Sequence, residues 1–415
     1  MIVKITPKKL CGSVDAPPSK SYAHRALIAA ALCFSETIKI NNVTLSEDIE
    51  ATMSCLESMG ARFTLTKQPS GRFGITVNGI DRIPESAQLE CNESGSTLRL
   101  IIPICAALGI KTVFTGRGKL PVRPLDTYLR EMSKNGITFT KPSDRYLPLK
   151  MSGRLRGGIY ETEGNISSQF ISGLMFALPL CSEDSHIIID GELQSAGYAE
   201  MTAGTLRKFC IAVERDGQMN CFIRGGQKYF NIKNSCLVEN DWSQAAFFHT
   251  ANFLGSDLKI KVTRKSVQPD SVIIDILKDL AAGNSFEFSM AQCPDILPIL
   301  TVAASFAEKT VRLTNAERLA VKESNRLKTA TDMINAIGGR AEYTADSVTI
   351  HPVSEFSGGT VDGAGDHRIV MSAAIAATKS SKPVTIIGAE AVRKSFPDFW
   401  DVYKSIGGEV DLCEE

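Results

Sequence analysis

The feature that most constrains this chain is a set of helices that are apolar nearly all round yet open on polar residues. They read SKSYAHRALIAAAL, GSTLRLIIPICAALG, SSQFISGLMFALPL, DWSQAAFFHTANFLG, PDILPILTVAASFA and DHRIVMSAAIAAT. A helix with no wet face has to be buried. Anchored at positions 21, 96, 168, 243, 295 and 366, they are separated by 75, 72, 75, 52 and 71 residues. Spacing this regular marks an internal repeat.

A second, amphipathic helix follows in most units. SEDIEATMSCLESMG puts Ile49, Met53, Leu56 and Met59 on one stripe and stops at Gly60; comparable segments stop at Gly136, Gly283, Gly338 and Gly407. The third unit, TLRKFCIAVERDG, lacks a glycine at that place. A β-like run follows most of these helices, so each unit holds two helices and several strands. Three units precede residue 235 or so and three follow it, and 415 residues exceed one ordinary core. The expected fold is therefore α/β, with two domains of three repeats, buried parallel helices inside and sheets outside. If the domains face each other, six helix N-termini point at one cleft, an arrangement that attracts anions.

Composition narrows the function. Hydrophobic content of 43% and charged content of 22% describe a soluble globular chain. Lys plus Arg and Asp plus Glu number 46 each, which argues against nucleic acid as the main partner. MIVKITPKKL does not read as a secretory leader, so none is expected, and the longest apolar run, Leu100 to Ile110, carries Pro103 and Gly109, so no membrane segment is expected. The eleven cysteines are dispersed without a Cys-x-x-Cys pair, which reads as reduced cytoplasmic thiols. The five histidines have no metal-ligand spacing, and neither a P-loop nor a Gly-x-Gly-x-x-Gly turn is present.

The polar helix starts carry the chemistry. Lys20 and Arg25 lie near an N-terminus that is already partly positive; two solvated surface cations would account for them, and so would an anion sitting among them, with Ser21 a candidate cap. Gly95 lets a ligand approach the backbone closely. Ser167, Ser168 and Gln169 are neutral donors that, taken alone, helix capping would explain. Arg123, Lys322, Arg326, Arg368 and Lys394 stand just before helices in the loops; each alone could be a solvated surface charge, but they share repeat-equivalent positions, and several are guanidinium groups suited to carboxylate or phosphate. Two carboxylates stand among them. Asp295 starts the fifth buried helix and could simply cap it. Glu323, between Lys322 and Arg326, suits proton transfer at least as well as it suits the helix dipole.

These motifs, PPSKSYAHR, ESGSTLR, RPLDTYL, EGNISSQFISGL, CPDILPI, VKESNRL, DHRIVMS and RKSFPDF in order, resemble the 5-enolpyruvylshikimate-3-phosphate synthase family nearly end to end. The resemblance implies two inside-out α/β barrels. The chain would start in the second domain and cross near Ser13–Ser19 and Cys236–Asn240, giving a first domain of 19–237 and a second of 1–18 plus 238–415. It implies enolpyruvyl transfer from phosphoenolpyruvate to the 5-hydroxyl of shikimate 3-phosphate, by a cytoplasmic monomer needing no cofactor or metal. Ser21, Arg25, Ser167, Ser168, Gln169, Ser195, Tyr198 and Lys322 would hold shikimate 3-phosphate. Lys20, Gly95, Arg123, Gln169, Arg326, Arg368 and Lys394 would hold phosphoenolpyruvate. Asp295 and Glu323 would be the acid–base pair, with Lys20 a possible partner.

Two positions depart from the family pattern. Glu93 replaces a common Asn before Ser94-Gly95, and Asn325 replaces the usual Asp before Arg326. The nearest alternative, the related transferase acting on UDP-N-acetylglucosamine, typically shows Lys-Asn where this chain has Lys20-Ser21. A non-catalytic anion-binding relative would be expected to lack the two carboxylates.

Overall fold

Two separate apolar cores organise the chain. The structure, a computed structural model, describes residues 1–216 and 220–413. One compact unit is Pro18–Glu239; the other joins Met1–Pro17 to the chain from Asn240 onward. The crossings thus fall at Pro17–Pro18 and Glu239–Asn240.

Helices come in pairs, one pair per repeat. In the first unit these are α1 (Lys20–Ala31) and α2 (Glu47–Ser58), α3 (Gly95–Leu108) and α4 (Asp126–Lys134), and α5 (Ser168–Ala177) and α6 (Ala196–Lys208). In the second they are α7 (Trp242–Phe253) and α8 (Ile273–Ala282), α9 (Leu297–Ala304) and α10 (Arg326–Ala336), and α11 (His367–Ala376) and α12 (Phe399–Ser405). The odd-numbered member of each pair is buried almost throughout, as a helix without a polar stripe must be. The even-numbered member buries one face; α8, for instance, buries Ile273, Ile276, Leu277 and Leu280.

The repeat is as clear in the sheets. Five four-stranded sheets share one plan: a parallel outer pair, then two antiparallel additions. Ser86–Glu90, Lys111–Thr115, Leu149–Gly153 and Ile137–Thr140 are one example. In the first unit the last strand, Ser235–Leu237, pairs in parallel with Thr37–Val43 of the first repeat, closing the three repeats on themselves. In the second unit Ile2–Thr6 lies between Val384–Ile387 and Glu409–Cys413, while Cys11–Asp15 pairs with Asp257–Lys261. The N-terminal residues therefore complete the unit built from the far end of the chain.

The helix stops follow the glycines, because the residue after each amphipathic helix turns left-handed. Gly60, Gly136 and Gly407 have φ of 106°, 96° and 89°. In the third repeat Cys210 takes that place with φ 55°, so the turn is made without the glycine.

Candidate active site

The first unit brings the polar starts of its buried helices together. Ser19, not Ser21, caps α1: its hydroxyl accepts from Tyr22 N at 3.3 Å. Ser21 is a candidate cap in the sequence, but Pro17-Pro18 holds the chain extended only as far as Ser19, so Ser21 lies inside the first turn. Lys20 pairs with Asp48 of α2 at 2.6 Å. Arg25 is 3% exposed, and its guanidinium donates to Thr202 Oγ1 (2.7 Å), Ser21 O (2.8 Å), Tyr198 O (3.2 Å) and Ser172 Oγ (3.4 Å). All four acceptors are neutral. Burial pulls Arg25 down to about 10, which leaves it charged.

Ser94 caps α3 and Ser167 caps α5, accepting from Thr97 N and Gln169 N. Gln169 bridges the two helices: its Nε2 donates to Ser96 Oγ at 2.9 Å, and Arg99 Nη1 donates to its Oε1 at 3.0 Å. With their starts joined and their bodies packed together, α3 and α5 run the same way. Arg123 lies against Gly95; a Cβ on that glycine would stand 2.6 Å from Arg123 Nη1. Ser195 caps α6 by backbone geometry, with φ 57°, and Tyr198 follows in the same turn. Glu93 turns its carboxyl over Gly118, in the loop that leads to Arg123.

The second unit holds an ion cluster. Arg326, 1% exposed, donates from Nη1 to Asp295 Oδ1 (2.9 Å), from Nη2 to Glu323 Oε2 (2.9 Å), and from Nε to Asp366 Oδ2 (2.8 Å). Arg368 Nη2 donates to Asp295 Oδ2 at 3.0 Å, and Lys322 Nζ stands 3.7 Å from Asp295 Oδ1. Both candidate acid–base carboxylates thus share one guanidinium. Lys394 donates to Gly365 O at 2.8 Å, beside the Asp366 cap of α11.

Asp295 does not cap a helix. It sits in a 3-10 turn, Pro294–Ile296, that leads into α9, and neither end takes a side-chain cap. Its carboxylate is committed to cations instead. Burial pushes it up, but Arg368, Lys322 and Arg326 together outweigh burial and hold it well below the usual carboxylate range. Burial draws the Lys322 ammonium down to about 8 against the pull of Asp295. Asn325 caps α10, accepting from Lys328 N, so the departure from Asp keeps a capping oxygen there.

Five partners escaped the sequence reading: Asp48, Arg99, Ser172, Asp366 and Thr202. Asp366 was visible as a helix anchor. The others lie within helices, where nothing local marks them. Among the described residues no helix is long and apolar enough to cross a membrane, and ten cysteines are free thiols.

Comparison with known proteins gives one consistent answer. Residues 5–403 match the family model for EPSP synthase (3-phosphoshikimate 1-carboxyvinyltransferase). A Clostridium novyi protein named 3-phosphoshikimate 1-carboxyvinyltransferase is 39% identical over 431 residues, covering 99% of this chain and 98% of its own. A Clostridium acetobutylicum protein of the same name is 40% identical over 422 residues, covering 98% of each. A solved structure of EPSP synthase from Acinetobacter baumannii superposes with a TM-score of 0.80 at 24% identity, over 99% of this chain and all of that one, a likeness of fold.

Proposed function

The chain belongs to the EPSP synthase (3-phosphoshikimate 1-carboxyvinyltransferase) family, and from that membership we propose how its two sets of residues divide the reaction. The protein transfers the enolpyruvyl group of phosphoenolpyruvate to the 5-hydroxyl of shikimate 3-phosphate and releases phosphate. The hydroxyl adds to C2 of phosphoenolpyruvate while C3 takes a proton. The tetrahedral ketal phosphate then loses inorganic phosphate and a C3 proton.

Arg25, Ser21, Ser167, Ser168, Gln169, Ser195 and Tyr198 are assigned to shikimate 3-phosphate together with Lys322. Lys20, Gly95, Arg123, Gln169, Arg368 and Lys394 are assigned to phosphoenolpyruvate. Arg326 joins them through the N–H capacity that its carboxylates leave. Arg25 supports this assignment, since a buried cation bonded to neutral acceptors gains most from an anion.

The observation that carries the chemistry is Asp295, ionised between Arg326 and Arg368. As it stands it is a weak base. Anionic substrates that draw charge from Arg368 and Lys322 would raise its proton affinity as they bind, readying it to take the hydroxyl proton. Glu323, on the other arm of Arg326, is assigned the proton exchanged at C3, with Lys20 as partner. The cations stabilise the charge on departing phosphate. The enzyme is read as a cytoplasmic monomer of two domains.

The test is phosphate release. It should require both substrates, since addition precedes elimination. Steady release from phosphoenolpyruvate alone, or with UDP-N-acetylglucosamine in place of shikimate 3-phosphate, would refute the assignment.

A further inference from the structure

A buried chain of side-chain hydrogen bonds runs from α1 across α2 to the start of α3. His24 Nδ1 meets Thr52 Oγ1 at 2.7 Å, Thr52 Oγ1 meets Thr97 Oγ1 at 2.7 Å, and Thr97 Oγ1 meets Ser94 Oγ at 2.7 Å. Thr97 Oγ1 also reaches Asp48 O at 3.4 Å, on the residue that pairs with Lys20. His24, Thr52 and Thr97 are 0% exposed and Ser94 is 1% exposed. No water competes for these bonds, so each member depends on the next.

The direction of the chain follows from its far end. His24 Nε2 has no hydrogen-bond partner. A buried N–H left without an acceptor is rarer than an acceptor left without a donor, so the imidazole carries its proton on Nδ1. It is neutral: burial, then Lys20 and Arg25, disfavour the charged ring. His24 then donates to Thr52, Thr52 to Thr97, and Thr97 to Ser94. Ser94 Oγ accepts twice, from Thr97 Oγ1 and from Thr97 N.

We propose that His24 is a positioning residue that acts through Thr52 and Thr97 to hold the Ser94–Gly95 turn, and with it the phosphoenolpyruvate half of the site. The placing of phosphoenolpyruvate at Gly95 rests on the assignment above; the hold on the turn does not. The turn presents the first N–H groups of α3, the natural seat of an anion, and Arg123 lies directly on Gly95. Arg25 and the helix starts given to shikimate 3-phosphate are not members of the chain, so its loss should be felt on one substrate.

Two pairs of variants test this. Thr52→Val keeps the shape and removes both bonds, whereas Thr52→Ser keeps the hydroxyl. His24→Asn can place an N–H where Nδ1 stands; His24→Gln reaches only toward Nε2. Thr52→Val and His24→Gln should raise KM for phosphoenolpyruvate roughly tenfold, with KM for shikimate 3-phosphate and kcat within about twofold, the scale of one buried hydrogen bond lost. Thr52→Ser and His24→Asn should stay near the parent. Hydrogen exchange of the Ser94–Thr97 amides, read without any substrate, should speed up in Thr52→Val and not in Thr52→Ser.

Equal rises in both KM values, unchanged exchange in Thr52→Val, or no difference between His24→Asn and His24→Gln would overturn the proposal. If the parent itself lacks turnover, the functional assignment fails and amide exchange alone decides the hold on the turn. Should His24→Gln not fold, the Thr52 pair decides.

Discussion

Arg25 in the first unit and Arg326 in the second are both buried guanidinium groups, and their surroundings are opposite. Arg25 donates to two hydroxyls and two backbone carbonyls. Arg326 donates to three carboxylates, with Arg368 and Lys322 close by on Asp295. The first is a cation kept short of counter-charge, and burial weakens its hold on its proton. The second is over-supplied, and its pKa is driven up although burial alone would lower it. A cation awaiting an anion is a binding device. A balanced cluster in which carboxylates and cations hold one another is a device for moving protons, because a small change in one member's charge alters its neighbours' proton affinity. On the proposed assignment both units supply cations to the substrates, but the acid–base carboxylates Asp295 and Glu323 stand only in the second, and that asymmetry can be tested at several strengths.

The largest effect should come from the carboxylates of the second unit. Glu323→Gln preserves a hydrogen-bonding side chain beside Arg326 and removes the titratable group. Turnover should fall roughly 10²–10⁴-fold, the usual worth of a positioned acid–base group, while shikimate 3-phosphate binding by calorimetry stays close to the parent. Near-normal turnover would make Glu323 an ion-pair partner of Arg326 and dissolve the contrast between the units.

The next effect is on pH. Burial lowers Lys322 to about 8, whereas Arg25, drawn down only to about 10, keeps its charge there. With a lowered pKa the ammonium is fully charged below that value and lost above it. kcat/KM for shikimate 3-phosphate should therefore be level below about pH 8 and fall above it, approaching tenfold per pH unit. Lys322→Arg keeps the charge, so its profile should stay level through that range. A decline at the same pH in the variant would assign the titration to another group.

How much of this could be read beforehand depends on what makes each feature. The six buried helices, their polar starts and their glycine stops are local patterns, and the sequence shows them. Ion pairs such as Lys20–Asp48 join residues 28 apart on different helices, and nothing in SEDIEATM singles out Asp48 from its acidic neighbours. Cys210 shows the converse: the turn needs a left-handed residue, and without a glycine the chain places a cysteine there. For Asp295 the sequence left a cap open, because Pro-Asp before an apolar run resembles one; in the structure a 3-10 turn intervenes and the cations claim the carboxylate.

Gly95→Ala should act more mildly and in the first unit only. Gly95 opens α3, where alanine suits the backbone, so stability should hold. The added methyl would stand 2.6 Å from Arg123 Nη1, and the guanidinium would have to move. Titration should show phosphoenolpyruvate weakened about tenfold or less, with shikimate 3-phosphate unchanged; such a displacement costs about 1.4 kcal/mol at most. Equal weakening of both ligands would mean that Arg123 is not what the methyl displaces.

The smallest effect separates a cap from a ligand within one turn. Ser19 and Ser21 are two residues apart, and the sequence alone makes the second a candidate cap of α1. In the structure Ser19 Oγ accepts from Tyr22 N, while the backbone carbonyl of Ser21 accepts from Arg25 Nη1. Ser19→Ala should therefore cost about 1 kcal/mol of stability, the typical worth of an N-cap, visible as a lower Tm with little change in shikimate 3-phosphate affinity. Ser21→Ala keeps the carbonyl that Arg25 uses and removes only the hydroxyl, so Tm should stay put and affinity should fall. The proposed assignment of Ser21 to shikimate 3-phosphate predicts this separation, because a hydroxyl not needed for the cap is available to a ligand. If Ser21→Ala lowers Tm and leaves affinity alone, the hydroxyl is structural, and the proposed contact to the substrate's phosphate rests on Arg25 without it.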